Sequence, residues 1–357
     1  MRVLIVDDSA FMRKAIRQML ETDDDVEVVG SARNGKEGVE LCKQLRPDVV
    51  TMDVEMPEMD GITALRHIMT DCPTSVLMVS SLTTEGSRAA LAALRHGAAD
   101  ILAKDQSQIS IDVRKLEAEL LTRVRALAGP HALKRRPRLD SFAGSASDAA
   151  PALRPSNFEC LCIGSSTGGP PVLEKIVAAL PADYPHPVVI AQHMPALFTK
   201  SMAERLDEMC RLEVRHAESG DELKRRTVYV APGGHNIHIK KTGLARRRLI
   251  VNDEPQGAIY KPSVDALLGS AAEALGRRCL AVVLTGMGDD GLRGARLLHE
   301  KGGVILAQNQ ETCVVYGMPK AVTQDGLVAA SLAPDAIAKL LAGFAPSVAA
   351  AASEPAA

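Results

Sequence analysis

Three residues that could do chemistry each follow an apolar run: Ser166 in FECLCIGSSTGGPP (158–171), His193 after VVIAQ, and Asp290 in VVLTGMGDDG. A serine hydroxyl becomes a nucleophile when a neighbouring base takes its proton, and a histidine base needs a carboxylate to fix its tautomer. Ser166, His193 and Asp290 supply those three roles. Gly164, Gly168 and Gly169 let the chain turn sharply around Ser166. Pro170 and Pro171 then open a helical segment, because a first-turn residue has no hydrogen bond to lose. The helix start offers unpaired N–H groups and positive potential, which suit a developing oxyanion. The pattern is that of a nucleophile elbow with Ser166 at its apex, without the G-x-S-x-G spacing itself. A phosphate-cradling turn is the alternative, and it lacks a Walker lysine. The rivals for base and acid are placed less well: His235 and His238 lie by a hairpin, His216 in a polar strand, and Asp289 is one residue off.

A second set lies in the first third of the chain. Asp7 and Asp8 end one apolar run, Asp53 another, Ser80 a third and Lys104 a fourth. Converging carboxylates repel one another unless a hard cation joins them, and all-oxygen ligands suit Mg²⁺. A lysine beside them fits an arriving anion. Asp53 could then attack a phosphoryl group while Lys104 and the metal neutralise its charge.

These residues need strand ends to stand on. In the first half, apolar strands (Val3–Val6, Val26–Ala32, Asp48–Val54, Ser75–Ser80, Asp100–Lys104) alternate with segments of helical periodicity, from Met12–Leu20 to Asp112–Ala128. Five strands with intervening helices predict an α/β fold: a doubly wound parallel sheet whose site lies at the strand C-terminal ends. After residue 157 the same alternation returns, with strands at Cys160–Ile163, Pro187–Gln192, Val228–Ala231, Cys279–Thr285 and Val304–Ala307. The domains are therefore predicted at 1–128 and 158–345, joined by a flexible linker over 129–157, with a disordered tail at 346–357. The linker is basic at Lys134–Arg138 and then Ser/Ala/Gly-rich. Gly286–Gly291 matches G-x-G-x-x-G, with Glu311 at a ribose-binding distance. Asp289 and Asp290 would repel a pyrophosphate there, so dinucleotide binding is not expected.

Composition narrows the classes. The net charge is −2, aromatic residues are 3% and Trp is absent, which argues against nucleic acid and anionic membrane as partners. The seven cysteines lie mostly in apolar runs with no zinc-finger spacing, as expected of core thiols in a reducing compartment. Asp7-Asp8 interrupts the early apolar stretch, and no run approaches the ~20 residues that span a bilayer. A cytoplasmic location without membrane insertion is expected.

Residues 1–128 resemble a response-regulator receiver domain through VDDSAFMR, DVVTMDVEMPEMDG, VLMVSS and ADILAK. The resemblance implies a flavodoxin-like fold with Asp53 as phosphoacceptor. It makes Asp8 and Asp53 Mg²⁺ ligands, with Asp7 assisting through water and the Glu55 carbonyl completing the set. Ser80 becomes the switch hydroxyl and Lys104 the phosphoryl partner. Two positions depart from the pattern: Asp105 follows Lys104 where receivers usually carry proline, and Ile101 replaces the switch aromatic. The second half, through IGSSTGGP, VIAQHMP, YVAPGGHN and VVLTGMGDDG, resembles the Rossmann-like catalytic domain of chemotaxis-type protein-glutamate methylesterases. That resemblance implies a Ser166 nucleophile, a His193 base and an orienting Asp290, with Thr167 and the Met287 N–H near the oxyanion. It implies hydrolysis of glutamyl methyl esters on chemoreceptors without a cofactor, glutamine deamidation at the same sites, and a chemotaxis histidine kinase as phosphodonor.

Overall fold

The structure, a computed structural model, describes residues 1–81, 83–104, 113–128, 157–243 and 246–344. Residues 129–156 of the expected linker, the expected tail at 346–357 and Asp105 lie outside them. The chain forms two compact units, Met1–Arg136 and Pro137–Ala357.

The first unit alternates strands and helices: β1 (Arg2–Val6), α1 (Ala10–Leu20), β2 (Glu27–Ala32), α2 (Gly35–Leu45), β3 (Val49–Asp53), α3 (Gly61–Asp71), β4 (Ser75–Ser81), α4 (Thr84–Arg95), β5 (Asp100–Lys104) and α5 (Val113–Leu127). Side chains set the helix starts. Ser9, Asn34, Asp60 and Thr83 each accept a first-turn N–H of α1, α2, α3 and α4, a cap worth about 0.5–2 kcal/mol. The strands are all parallel in the order β2-β1-β3-β4-β5. That is the flavodoxin-like order, and its crevice opens where the winding reverses between β1 and β3. Asp7 and Asp53 stand at that reversal. Helices cover both faces, so β1 and β3 read as nearly unbroken apolar runs, with Val3, Leu4, Ile5, Val49 and Val50 all inaccessible to solvent.

The second unit follows the same logic: β6 (Cys160–Ser165), α6 (Gly169–Ala179), β7 (Val188–Gln192), α7 (Ala196–Met209), β8 (Glu213–His216), β9 (Thr227–Val230), β10 (Asn236–Lys241), β11 (Arg247–Asn252), α8 (Val264–Leu275), β12 (Cys279–Val283), α9 (Leu292–Glu300), β13 (Val304–Gln308), α10 (Met318–Gln324), β14 (Ala330–Leu332) and α11 (Pro334–Ala342). Seven parallel strands run in the order β14-β13-β12-β6-β7-β9-β8, and β10–β11 form a separate antiparallel hairpin. The first strand, β6, is central. The chain winds away from it through β7, then returns to its other side at β12, so β6 is flanked by the two strands whose ends carry His193 and Asp290. The core is built from these buried strands. On α8, Leu267, Leu268 and Ala271 belong to the same buried cluster as Ile237, Ile239 and Leu249 of the hairpin.

Two details differ from the sequence reading. The helix that Pro170 and Pro171 were expected to open begins one residue earlier, at Gly169, with both prolines in its first turn as expected. The cause is the one that makes prolines tolerable there: no first-turn N–H has an intrahelical acceptor. The short α10 and β14 were not anticipated, because seven and three residues carry too little periodicity.

Candidate active site

Register brings Ser166 and His193 together. Ser165 pairs with Gln192 at the last rung of the β6–β7 ladder, and the His193 N–H donates to the Ser165 carbonyl at 3.1 Å. The next residue on each strand is therefore Ser166 and His193, on backbones about 4.8 Å apart. From the other side, Ser166 N–H donates to the Thr285 carbonyl at 3.0 Å. Two glycines make the crowding possible. Gly168 has φ +76°, and a Cβ there would lie 2.5 Å from Val314 Cγ2. A Cβ on Gly286 would lie 2.8 Å from Ser166 Cβ and 2.3 Å from Met318 Sδ. Gly286 thus lies directly against the serine, with Met287 next in the chain. Thr167, buried, follows Ser166 just ahead of α6.

His193 Nε2 meets Asp290 Oδ2 at 2.7 Å, with the two side chains 6% and 8% exposed. Asp290 is itself tied to the start of α8. Its Oδ1 accepts from Ser263 Oγ at 2.9 Å and Asp265 N–H at 3.0 Å, and its Oδ2 accepts from Val264 N–H at 2.6 Å. Burial pushes the Asp290 carboxyl up, but the His193 hydrogen bond and charge and the Asp265 and Val264 N–H groups outweigh it. The group is held below its ordinary range. It therefore stays ionised at a pH where a free aspartate has begun to protonate. An ionised carboxylate only accepts, so Nε2 carries the proton and Nδ1 keeps the lone pair. That Nδ1 is buried without a hydrogen-bond partner among the described residues. The carboxylate thus meets Nε2, whereas in the commoner Ser-His-Asp arrangement it holds Nδ1. Asp290→Asn, which can present an N–H to Nε2 and favour the wrong tautomer, is expected to lower kcat for a methyl ester by about 10²–10⁴-fold. Steady-state kinetics check this, and a kcat within tenfold of wild type would contradict the assignment.

Gln192 has a part that the sequence reading passed over. It is 2% exposed. Its Oε1 accepts from Ser165 Oγ at 2.5 Å, and its Nε2 donates to the carbonyls of Ser166 at 2.9 Å and His193 at 3.4 Å. One amide thus links the turns that carry Ser166 and His193. The signal was present: a buried amide ending an apolar strand must find partners. Thr285 acts similarly, donating through Oγ1 to the Thr167 carbonyl at 2.9 Å. Tyr260, from a distant loop, stacks on His193. The rival histidines are engaged elsewhere: His216 with Thr199 Oγ1 at 3.1 Å, His235 with Asp253 at 2.8 Å, and His238 with the Glu254 carbonyl at 2.9 Å. Asp289 is exposed, and Glu311 lies in a short 3₁₀ turn.

In the first unit, Lys104 Nζ lies 2.6 Å from Asp7 Oδ2 and 2.7 Å from Asp53 Oδ2. Carboxylate oxygens of Asp7, Asp8 and Asp53 fall within 4.8 Å of one another. Burial pushes the Asp53 carboxyl above its ordinary range, although Lys104 pulls the other way. These hard oxygens fit Mg²⁺. Arg13 ties the turn by donating to the Asp7 and Asp8 carbonyls at 2.7 and 2.9 Å. The Glu55 side chain is exposed. Ser80 Oγ donates to the Gly86 carbonyl in the first turn of α4 at 3.2 Å, and Ile101 is buried on β5.

Fold and geometry together define a class: an α/β unit with a serine, histidine and aspartate at its strand ends, joined to a second α/β unit with an acidic pocket and a lysine. Residues 161–341 match the family described as CheB methylesterase, and residues 3–114 match the response regulator receiver domain. The protein-glutamate methylesterase/protein-glutamine glutaminase 1 of Oleidesulfovibrio alaskensis is 47% identical, over 91% of this chain and 94% of that protein. The protein-glutamate methylesterase/protein-glutamine glutaminase of Lawsonia intracellularis is 43% identical, over 96% of this chain and 98% of that protein. The crystal structure of the Thermotoga maritima CheB methylesterase catalytic domain aligns at 40% identity with a TM-score of 0.51, covering 52% of this chain and 98% of that one. The chain belongs to the CheB methylesterase family and carries a response regulator receiver domain in its first half.

Proposed function

We propose that this protein is a phosphorylation-regulated protein-glutamate methylesterase and protein-glutamine glutaminase of chemotaxis adaptation, acting on chemoreceptor glutamyl side chains. The observation that carries this reading is the His193–Asp290 pair at 2.7 Å beside Ser166, in a chain whose full-length relatives bear that name. Ser166 Oγ attacks the ester carbonyl carbon as its proton passes to His193 Nδ1, forming a tetrahedral oxyanion. Thr167 and the Met287 N–H, beside Ser166, are the groups to receive that charge. The imidazolium returns the proton to the departing methoxide, which leaves as methanol, and a γ-glutamyl ester remains on Ser166. Water activated by the same nitrogen cleaves that ester and restores the serine. A glutamine side chain follows the same course with ammonia as the leaving group.

In the receiver, Asp53 is the phosphoacceptor, with a chemotaxis histidine kinase as donor. Mg²⁺ held by Asp8, Asp53 and the Glu55 carbonyl, with Asp7 assisting through water, would neutralise charge on the incoming phosphoryl group. Lys104 is placed to pair with the phosphoryl oxygens. Phosphorylation adds about −1.5 to −2 charges. Turning Ser80 toward them would take its hydroxyl from the Gly86 carbonyl and so loosen the start of α4. With Ile101 in place of the switch aromatic, the effect of phosphorylation on the esterase runs through Ser80 and backbone movement. No described helix is long and apolar enough to cross a membrane, and the proposed site of action is the cytoplasmic part of the receptor.

Removing residues 1–150 tests the regulatory half of the reading. In this reading the unphosphorylated receiver inhibits the esterase toward a bulky receptor substrate. Methanol release from methylated receptor membranes should rise well above that of the unphosphorylated full-length chain, and a small activated ester should be affected less. Equal receptor activities would exclude an inhibitory receiver.

A further inference from the structure

The segment between β11 and α8 crosses beside the active site and places the Tyr260 ring on His193, with centroids 4.4 Å apart and planes 11° from parallel. We propose that Tyr260 is a positioning residue for the base: its ring fixes the orientation of the His193 imidazole and stabilises the imidazolium formed when Ser166 gives up its proton. This rests on His193 acting as the base in the proposed reaction.

The imidazole has one polar anchor among the described residues. Nε2 is held by Asp290, and Nδ1 has no hydrogen-bond partner. A ring held at one atom can pivot about that contact, and a pivot changes where Nδ1 points. An aromatic plane lying parallel to the ring opposes that motion. The aromatic face also carries negative quadrupole charge, so the same contact favours the protonated ring over the neutral one. It therefore strengthens as proton transfer proceeds, as transition-state stabilisation requires.

Tyr260 is held where this role needs it. The Lys261 carbonyl accepts from Gly234 N–H at 3.1 Å. Ser263 N–H donates to Asn236 Oδ1 at 2.8 Å. Ser263 Oγ, Val264 N–H and Asp265 N–H then hold Asp290. A run of six residues, Tyr260 to Asp265, thus supplies both the ring beside the histidine and the support of its carboxylate. Core filling does not account for the tyrosine. Residues 253–257 are exposed, and the neighbouring Ile259 is 89% exposed.

The test uses the full-length chain with p-nitrophenyl acetate, comparing Tyr260→Ala, Tyr260→Leu and Tyr260→Phe, with His193→Gln as reference. Tyr260→Ala and Tyr260→Leu should each lower kcat about tenfold while KM stays within about twofold, and Tyr260→Phe should stay within about twofold of wild type. In the His193→Gln background, Tyr260→Ala should cause no further loss. The His193 ring proton resonances should move downfield in Tyr260→Ala and Tyr260→Leu, as the shielding of the stacked ring is lost, and stay in place in Tyr260→Phe. The proposal is overturned by a Tyr260→Ala kcat within about twofold of wild type, by a loss confined to KM, or by Tyr260→Phe as impaired as Tyr260→Ala. If His193→Gln is inactive beside such a result, the base assignment survives and the stacking role alone falls. Turnover retained by His193→Gln would remove the base assignment and this proposal together.

Discussion

Ser166→Ala is expected to lower ester turnover by about 10⁴–10⁶-fold while leaving the fold in place. The preceding serine is no substitute. Ser165 is fully buried on β6, and its hydroxyl is committed to Gln192 Oε1 at 2.5 Å. The groups that build the turn act through backbone atoms: Ser166 N–H on the Thr285 carbonyl, Gly169 N–H on the Ser166 carbonyl at 2.9 Å, and Gln192 on that same carbonyl. All of these survive the substitution. The residual rate is what substrate binding and the oxyanion site supply without a nucleophile, since members of a triad work as a unit. Initial rates on a small activated ester, with a thermal melt of the same preparation, separate loss of chemistry from loss of fold. A residual rate within a hundredfold of wild type, on a folded protein, would place the nucleophile elsewhere.

Asp53→Ala is expected to abolish Mg²⁺-dependent phosphorylation by acetyl phosphate and leave the basal esterase rate unchanged. Among the three clustered carboxylates, Asp7 and Asp53 are each held by Lys104 and a backbone N–H, but the Asp7 side chain is 1% exposed and that of Asp53 13%, while Asp8 is exposed. Asp53 stands beside them at the end of β3, where burial weakens its hold on a full negative charge and Lys104 Nζ lies 2.7 Å from its Oδ2. Incorporation of labelled phosphate and the intact mass of the protein read the result. Label that persists in the variant would move the acceptor, with Asp8 the first residue to examine.

The strand ends of both units were legible in the sequence because each functional side chain follows an apolar run that stops abruptly. Val3–Val6 points to Asp7, VVIAQ to His193 and CLAVV, through the glycine turn, to Asp290. The alternation of strand and helix likewise specified parallel sheets. What could not be read is what register and long-range packing decide. Nothing local announces that β6 is central, or that Ser166 and His193 follow a single rung of the ladder. The carboxylate of Asp290 is held by a helix start 25–27 residues earlier in the chain. Tyr260 comes from an exposed, Gly- and Pro-containing stretch that reads only as loop, and the contact with His193 exists only once the hairpin and α8 have fixed its ends. Gln192 is the intermediate case: its type and place were visible, but its three partners were not.

The most direct measurement is methanol release from receptor membranes carrying labelled glutamyl methyl esters, using the full-length protein and Ser166→Ala, each with and without acetyl phosphate and Mg²⁺. The account predicts release by the wild-type chain that rises on phosphorylation, and no release above background by Ser166→Ala under either condition. Release by Ser166→Ala at a rate comparable to wild type would contradict it.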